Sequence, residues 1–202
     1  MHAGWSLKFQ DPVGMQYKLD EVMAHDALLL GRVTYEGFAQ AWPGRSDEIG
    51  FADKMNSMEK YVVSSTLGRA EWNNTTVVSG ELPVEITRVK EGRGGDVLVA
   101  GSSQLVQALL ANGFVDELRL MVFPIVLGSG KRLFAHNADP VSLELLSAKQ
   151  LPSGTRSLPI APRATNRTRE SLSRPSPRGV SGRGRARSKV RWSPDERTLL
   201  RF

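Results

Sequence analysis

Short unbroken apolar runs punctuate the first 158 residues of this chain. Ala27 to Leu30, Tyr61 to Val63, Thr76 to Val78 and Val97 to Ala100 have the length and β-branching of strands buried on both faces. Between them the apolar spacing changes to that of a helix. Tyr17, Leu19, Val22 and Met23 predict a short amphipathic helix; Tyr35 and Phe38 sit on a second, which Thr34 is placed to cap and which stops near Trp42-Pro43-Gly44. Phe51, Met55 and Met58 mark a third, and Leu82, Ile86 and Val89 a fourth. Leu105, Val106, Leu109 and Leu110 form two i,i+4 pairs on a fifth, closed by Asn112-Gly113. A strand follows from Leu118 to Phe123, and near-alternation through Leu143, Leu145 and Leu146 predicts another within 142–150. Residues 1–14, with isolated Trp5 and Phe9, read as a loop.

Strand–helix alternation of this kind predicts an α/β fold with a mostly parallel sheet flanked by helices. After the turn at Pro152-Ser153-Gly154 a returning strand is expected near Thr155, yet from Pro159 no period of 2 or 3.6 persists and Arg, Ser, Pro and Gly dominate. The sequence therefore divides into a globular part, 1–158, and a tail, 159–202, expected to be disordered.

Charge sharpens that division. Residues 1–158 hold 15 basic and 18 acidic side chains, a net −3, whereas 159–202 hold 12 basic and 3 acidic, a net +9. The overall +6 belongs to the tail, so any nucleic-acid reading rests on GRGRARSKVRW alone, and a solvated tail is favoured over it. The chain has no Cys, which excludes disulfides and thiol chemistry, and its three histidines, His2, His25 and His136, show no ligand spacing, so no metal is expected. No apolar run is long enough to span a bilayer and the N-terminus lacks a signal-peptide core; a cytoplasmic protein without a membrane partner is the expectation.

Candidate chemistry gathers at strand ends. Open parallel sheets bind ligands beyond the carboxyl ends of their strands. Three predicted strands end in Gly31-Arg32, Ser64-Ser65 and Gly101-Ser102-Ser103, the last opening a helix. Free helix N-terminal amides, hydroxyls and a guanidinium on one sheet edge would suit a phosphorylated nucleotide.

The blocks LLLGRVTYEGF, YVVSSTL, VLVAGSSQLVQALL and GFVDELRLMVFPIVLGSGKRLF resemble the dihydrofolate-reductase-like superfamily. Within it they are most similar to the branch related to the reductase domain of the bacterial bifunctional riboflavin-pathway deaminase-reductase, over roughly residues 15–156. The resemblance implies a mixed, mostly parallel sheet flanked by helices, with NADPH along one edge. It implies hydride transfer to a small heterocycle, pyrimidine- or pterin-like, of the 5-amino-6-(5-phosphoribosylamino)uracil reductase type. Carried over by position, Gly31, Arg32 and Thr34 match a turn on the cofactor phosphates, Ser64 and Ser65 a hydroxyl pair near the adenosine 2′-phosphate, and Gly101, Ser102, Ser103 and Gln104 the pyrophosphate loop. A homodimer is one assembly it admits.

Three departures stand out. YEGFAQAWPGR replaces the segment that in riboflavin-pathway reductases holds the substrate's ribose phosphate, Ala100 stands where an acidic residue is usual, and the chain begins at MHAGW, beyond the family's first strand. No catalytic acid can be named from the sequence. The missing central strand predicts marginal stability. An upstream in-frame extension and a shifted reading frame behind the tail are the expected sources of these two irregular ends. The alternatives to a reductase are a cofactor-binding fold without activity and nucleic-acid binding through the tail.

Overall fold

The computed structural model describes residues 4–92, 95–136, 139–163 and, for the backbone, 190–192. In chain order a 3-10 turn at Trp5–Phe9 precedes α1 (Pro12–Met23), β1 (Ala27–Gly31), α2 (Arg32–Ala41), α3 (Phe51–Ser57), β2 (Glu59–Val63), β3 (Thr75–Val78), α4 (Leu82–Glu91), β4 (Val97–Val99), α5 (Ser103–Ala111) and β5 (Glu117–Val122). Four strands follow: β6 (Leu143–Leu145), β7 (Lys149–Gln150), β8 (Arg156–Pro162) and β9 (Val190–Trp192). They form one mixed sheet in the order β3-β2-β1-β4-β9-β5-β8-β6, with β7 also on β8. The first four strands and β9 and β5 run parallel; β8 is antiparallel to β5, β6 and β7. This is the α/β architecture, a mostly parallel sheet flanked by helices, expected from the alternating pattern.

Period-2 alternation in doubly buried strands builds two cores. Leu28, Leu30 and Leu98 face α1, α2 and α3, meeting Val22, Phe38, Trp42, Phe51 and Met55. Ala27, Leu29, Val97 and Val99 face α4 and α5, meeting Ile86, Val89, Leu105 and Leu109. Trp42 stacks on Phe51 with centroids 5.3 Å apart and meets Phe38 edge-on. Each fully buried Leu or Phe contributes about 1.5–3 kcal/mol, so the strands stay put because both faces are covered.

Local signals explain several boundaries. α1 starts earlier than the apolar spacing suggests, because Asp11 accepts a hydrogen bond from the Gly14 amide at 2.9 Å and Pro12 supplies a preset first turn. α2 needs no side-chain cap: it begins at Arg32 directly behind Gly31, and Thr34 lies buried inside the first turn rather than capping it. The expected 142–150 strand divides into β6 and β7.

The boundary at 158 is corrected. The returning strand does form, as β8, and runs to Pro162, so residues 159–162 belong to the sheet. Pro159 conceals it in the sequence. Its carbonyl accepts from the Leu146 amide at 2.9 Å, and in an antiparallel strand the amide of the same residue points to the same side. The donor that proline lacks therefore faces Leu146, just past the end of β6, rather than the β5 ladder. Farther on, Val190–Trp192 forms β9. The remaining positions expected to be disordered, 164–189 and 193–202, lie outside the described residues. No strand precedes α1 among the described residues, and β9 holds the central position.

Two buried bases carry structural loads. Lys60 donates to the carbonyls of Asn56, Met58 and Asn73 at 2.9, 2.8 and 3.2 Å and lies 4.2 Å from the Trp72 ring centre; burial pushes its pKa down to about 8. His25 is fully buried, with Nδ1 against the Glu21 carbonyl and Nε2 without a hydrogen-bond partner among the described residues. Burial lowers the His25 pKa below 6.5, Arg119 adding to the effect while the Glu21 carbonyl, the Glu21 carboxylate and Asp96 oppose it. The depressed value means the unfolded chain binds the proton more readily. Stability from neutral His25 is thus complete above pH 6.5 and is lost as pH falls below it. Denaturation at pH 7.5, 6.5 and 5.5 should show a loss of up to about 1.4 kcal/mol per pH unit in the acid range. His25→Gln should flatten that slope; an unchanged slope would assign the acid sensitivity to carboxylates instead.

Candidate functional site

The carboxyl ends of β1, β2, β3 and β4 open onto one edge of the sheet, and a cavity of about 780 Å³ lies there. Each end is built by short-range chemistry. Gly31 passes straight from β1 into α2, its amide donating to the Gly101 carbonyl at 3.1 Å. A Cβ on Gly31 would stand 2.7 Å from Ser102 Oγ and 3.2 Å from Ser102 Cβ, so only glycine lets these two strand ends approach this closely. Beyond β2, Ser64 Oγ accepts from the amides of Thr66 and Leu67 at 3.1 and 2.9 Å, which turns the chain and leaves Ser65 and Thr66 exposed. Beyond β4, Gly101 has φ 119°, in the region glycine favours, and Ser102 caps α5 by accepting from the Leu105 amide at 3.4 Å. The amides of Ser103 and Gln104, in the first turn of α5, have no intrahelical acceptor and lie at the cavity.

Seven of the nine residues singled out from the sequence line this cavity: Gly31, Arg32, Ser64, Ser65, Ser102, Ser103 and Gln104. Two do not. Gly101 acts one step back, through its carbonyl to Gly31, and Thr34 is 3% exposed, with an Oγ1 lacking a partner and no place in the lining. The structure adds residues that sequence reasoning passed over: Thr66, Ser79, Gln107, Lys131, Arg132 and His136. Gln107 Nε2 donates to the Arg132 and Leu133 carbonyls at 3.0 and 3.2 Å and so ties the 131–136 loop to α5. The only signal for that loop was its glycine-flanked Lys131-Arg132 pair.

Among the described residues the lining contains Arg32, Lys131, Arg132 and His136 but no carboxylate. Arg32 pairs with Glu36 at 2.8 Å on the open face of α2, both side chains more than two-fifths exposed. Such an exposed i,i+4 pair is worth about 0.3–0.5 kcal/mol, so an incoming anion could draw the guanidinium away at little expense. Hydroxyls, two free helix amides and a cationic rim make a set of donors suited to phosphate groups. Among the described residues no cluster of His, Asp and Glu could hold a metal, and no helix is long and apolar enough to cross a membrane.

A family model described as the RibD C-terminal domain matches residues 5–156. The chain belongs to the RibD C-terminal domain family. Among its relatives, Bacillus subtilis (strain 168) YyaP is 29% identical over 132 residues, covering 64% of this chain and 70% of YyaP. Solved structures share the fold, two of which illustrate the range. A protein described as a riboflavin biosynthesis protein, from Shewanella sp. PV-4, superposes with TM-score 0.63 at 19% identity, covering 77% of this chain and 84% of that one. The dihydrofolate reductase of Enterococcus faecalis, solved with NADP(H), superposes with TM-score 0.53 at 14% identity over 77% and 84% of the two chains. The family is thus that of the RibD C-terminal domain, and the fold is one shared with the Enterococcus enzyme. The RibD C-terminal match stops at residue 156, inside the antiparallel end of the sheet, so β9 lies outside it.

Proposed function

We propose that this RibD C-terminal domain is an NADPH-dependent reductase that transfers a hydride to a small heterocyclic substrate. The observation that carries the reading is the convergence of the β1, β2 and β4 ends, with the α5 N-terminus, on one carboxylate-free cavity. A dinucleotide fits this donor set. The Ser103 and Gln104 amides and the Ser102 turn would hold the pyrophosphate, where the helix dipole favours negative charge. Arg32, with Ser65 and the remaining donor of Ser64, would take the adenosine 2′-phosphate. A guanidinium meets a phosphate through paired hydrogen bonds, and serine hydroxyls donate without crowding it. When bound, the cofactor supplies the hydride; the protein orients it and supplies donors to its phosphates. Support for NADPH comes from this chemistry and from the NADP(H) in the Enterococcus enzyme.

The substrate class follows from family alone. The segment YEGFAQAWPGR contributes to α2 and its end, and it buries Tyr35, Phe38 and Trp42 in the core. It offers no cluster of donors for a substrate phosphate, which favours an unphosphorylated pyrimidine- or pterin-like ring over a phosphoribosyl compound. We place the protein in the cytoplasm, where NADPH is available.

Thermal unfolding with increasing NADPH or NADH tests cofactor binding without requiring the substrate. A ligand at 100 times its Kd stabilises by about 2.7 kcal/mol. A rise in Tm with NADPH at concentrations where NADH has little effect is the expected result, and absence of any shift with either nucleotide would sink the reading. A shift without NADPH oxidation across a panel of pyrimidines and pterins would instead point to a cofactor-binding fold without activity.

A further inference from the structure

The loop that follows β5 carries Lys131 and Arg132 to the cavity, and few contacts hold it there. Among the described residues, the only hydrogen bonds between 126–136 and the rest of the protein come from one side-chain atom. Gln107 Nε2 donates to the Arg132 carbonyl at 3.0 Å and to the Leu133 carbonyl at 3.2 Å. Leu133 adds an apolar anchor against the core under α5. The loop is thus tied at 132–133, and the cationic side chains on and beside that tie stay exposed.

Gln107 sits one turn along α5 from Ser103 and Gln104, and all three residues line the cavity. The helix that presents two free amides to an anion therefore also fixes the loop that carries cations. Those cations are uncommitted. Arg32 is engaged with Glu36, whereas among the described residues neither Lys131 nor Arg132 makes an ion pair or a side-chain hydrogen bond. An anion can meet them without first breaking a pair, and charge-assisted bonds to phosphate are among the stronger hydrogen bonds.

We propose that Gln107 is a positioning residue for the nucleotide: it holds the 126–136 loop against α5 so that Lys131 and Arg132 reach the pyrophosphate at the helix N-terminus. The inference rests on the dinucleotide reading above. Gln107 donates to backbone carbonyls, so it fixes where the loop runs and leaves the loop side chains free to bind. A cation on a tethered loop loses less conformational freedom on meeting a phosphate than one on an untethered loop. The pyrophosphate is common to NADPH and NADH, so the loop serves both, in contrast to Arg32 at the 2′-phosphate. Gln107→Leu keeps the bulk and the helix propensity and removes the donor.

Trypsin cuts after Lys and Arg, so the bonds following Lys131 and Arg132 report on the tether with no nucleotide present. Followed by mass spectrometry on the full chain, those bonds should be cut roughly tenfold faster or more in Gln107→Leu, as expected when a hydrogen-bonded tie of about 1.4 kcal/mol is lost. Equal rates, or a large drop in Tm that made Gln107 a support of the whole fold, would overturn the role. Calorimetric titration of NADPH and NADH then compares the unaltered chain, Gln107→Leu, the paired change Lys131→Ala with Arg132→Ala, and all three changes together. Gln107→Leu should weaken both nucleotides about tenfold, and the paired change at least as much, the loss expected for a charged hydrogen bond. The triple variant should bind no more weakly than the paired one, because Gln107 acts only through the two cations. A further loss in the triple variant, a paired change without effect, or a loss confined to NADPH would each overturn the proposal. NADPH binding that ignores Gln107→Leu would refute this role alone, whereas no binding of either nucleotide by the unaltered chain would remove the dinucleotide reading and this role with it.

Discussion

Arg32→Ala should weaken NADPH binding by about 10- to 150-fold and leave NADH binding nearly unchanged. The two cofactors differ only by the adenosine 2′-phosphate, so a group that serves that phosphate must discriminate between them. A charged hydrogen bond contributes about 1.5–3 kcal/mol, which gives the stated range in affinity. Arg32 lines the cavity at the end of β1, beside Ser64 and Ser65 at the end of β2. Its exposed pairing with Glu36 makes the side chain available rather than committed. Glu36→Gln should therefore tighten NADPH modestly by releasing the guanidinium. Ser65→Asp should weaken NADPH further through like-charge repulsion. The cavity also holds Lys131 and Arg132 on the opposite loop, so the comparison is informative. If Arg32→Ala reduces both nucleotides equally, Arg32 serves the shared pyrophosphate. If it reduces neither while Lys131→Ala discriminates, the 2′-phosphate lies against the loop. Calorimetric titration of both nucleotides into each variant distinguishes these cases.

Gly31→Ala should lower stability by about 1–3 kcal/mol, the usual range for overpacking a tight site, and should weaken either nucleotide. The backbone conformation is not the obstacle, since φ at Gly31 is −78°. The obstacle is Ser102, whose Oγ and Cβ would stand 2.7 and 3.2 Å from the new methyl group. Ser102 starts α5, so displacing it moves the amides proposed to hold the pyrophosphate. Ser102→Gly alone should cost about 1 kcal/mol or less through the lost cap. Combined with Gly31→Ala it should relieve the clash, so the double variant should be more stable than the two single losses predict. Strict additivity, measured by urea denaturation, would mean the two strand ends are not in the described contact.

Much of this arrangement was legible in the sequence because it is written locally. Strands β1, β2 and β4 are apolar runs that end in small or hydroxyl residues, and those ends meet at one cavity as expected. Helix α5 follows from two i,i+4 apolar pairs. What escaped was written over long distances or against local rules. β8 carries Pro159 and Pro162, which look unfit for a strand until it is known that Pro159 faces Leu146 rather than the β5 ladder. β9 is three residues in an Arg-rich segment, and nothing local marks it as a partner for Val97. Thr34 has the composition of a cap, yet Gly31 already ends the strand where the helix begins, so the hydroxyl is drawn into the interior. Lys18, Glu21 and Lys60 look like solvated side chains by type, and only their partners make their burial tolerable. The cationic half of the cavity, Lys131, Arg132 and His136, lies on a loop whose position is set by Gln107 of α5.

The order of strands also sets an order of events during synthesis. Val97 and Val190 are 93 residues apart in the chain yet adjacent in the sheet. Every strand on the cavity side of β9 leaves the ribosome well before β9 exists, so the cavity-side block can assemble first with β4 as a temporary exposed margin. A bare parallel margin of Val-Leu-Val invites pairing with other chains. The entropy of closing so long a loop is modest, about 0.6 kcal/mol for each doubling of length, but the waiting time is not. The segment that completes the sheet is thus also the one whose delay leaves a nascent chain most prone to aggregate, and slower translation through 164–189 would lengthen that exposure.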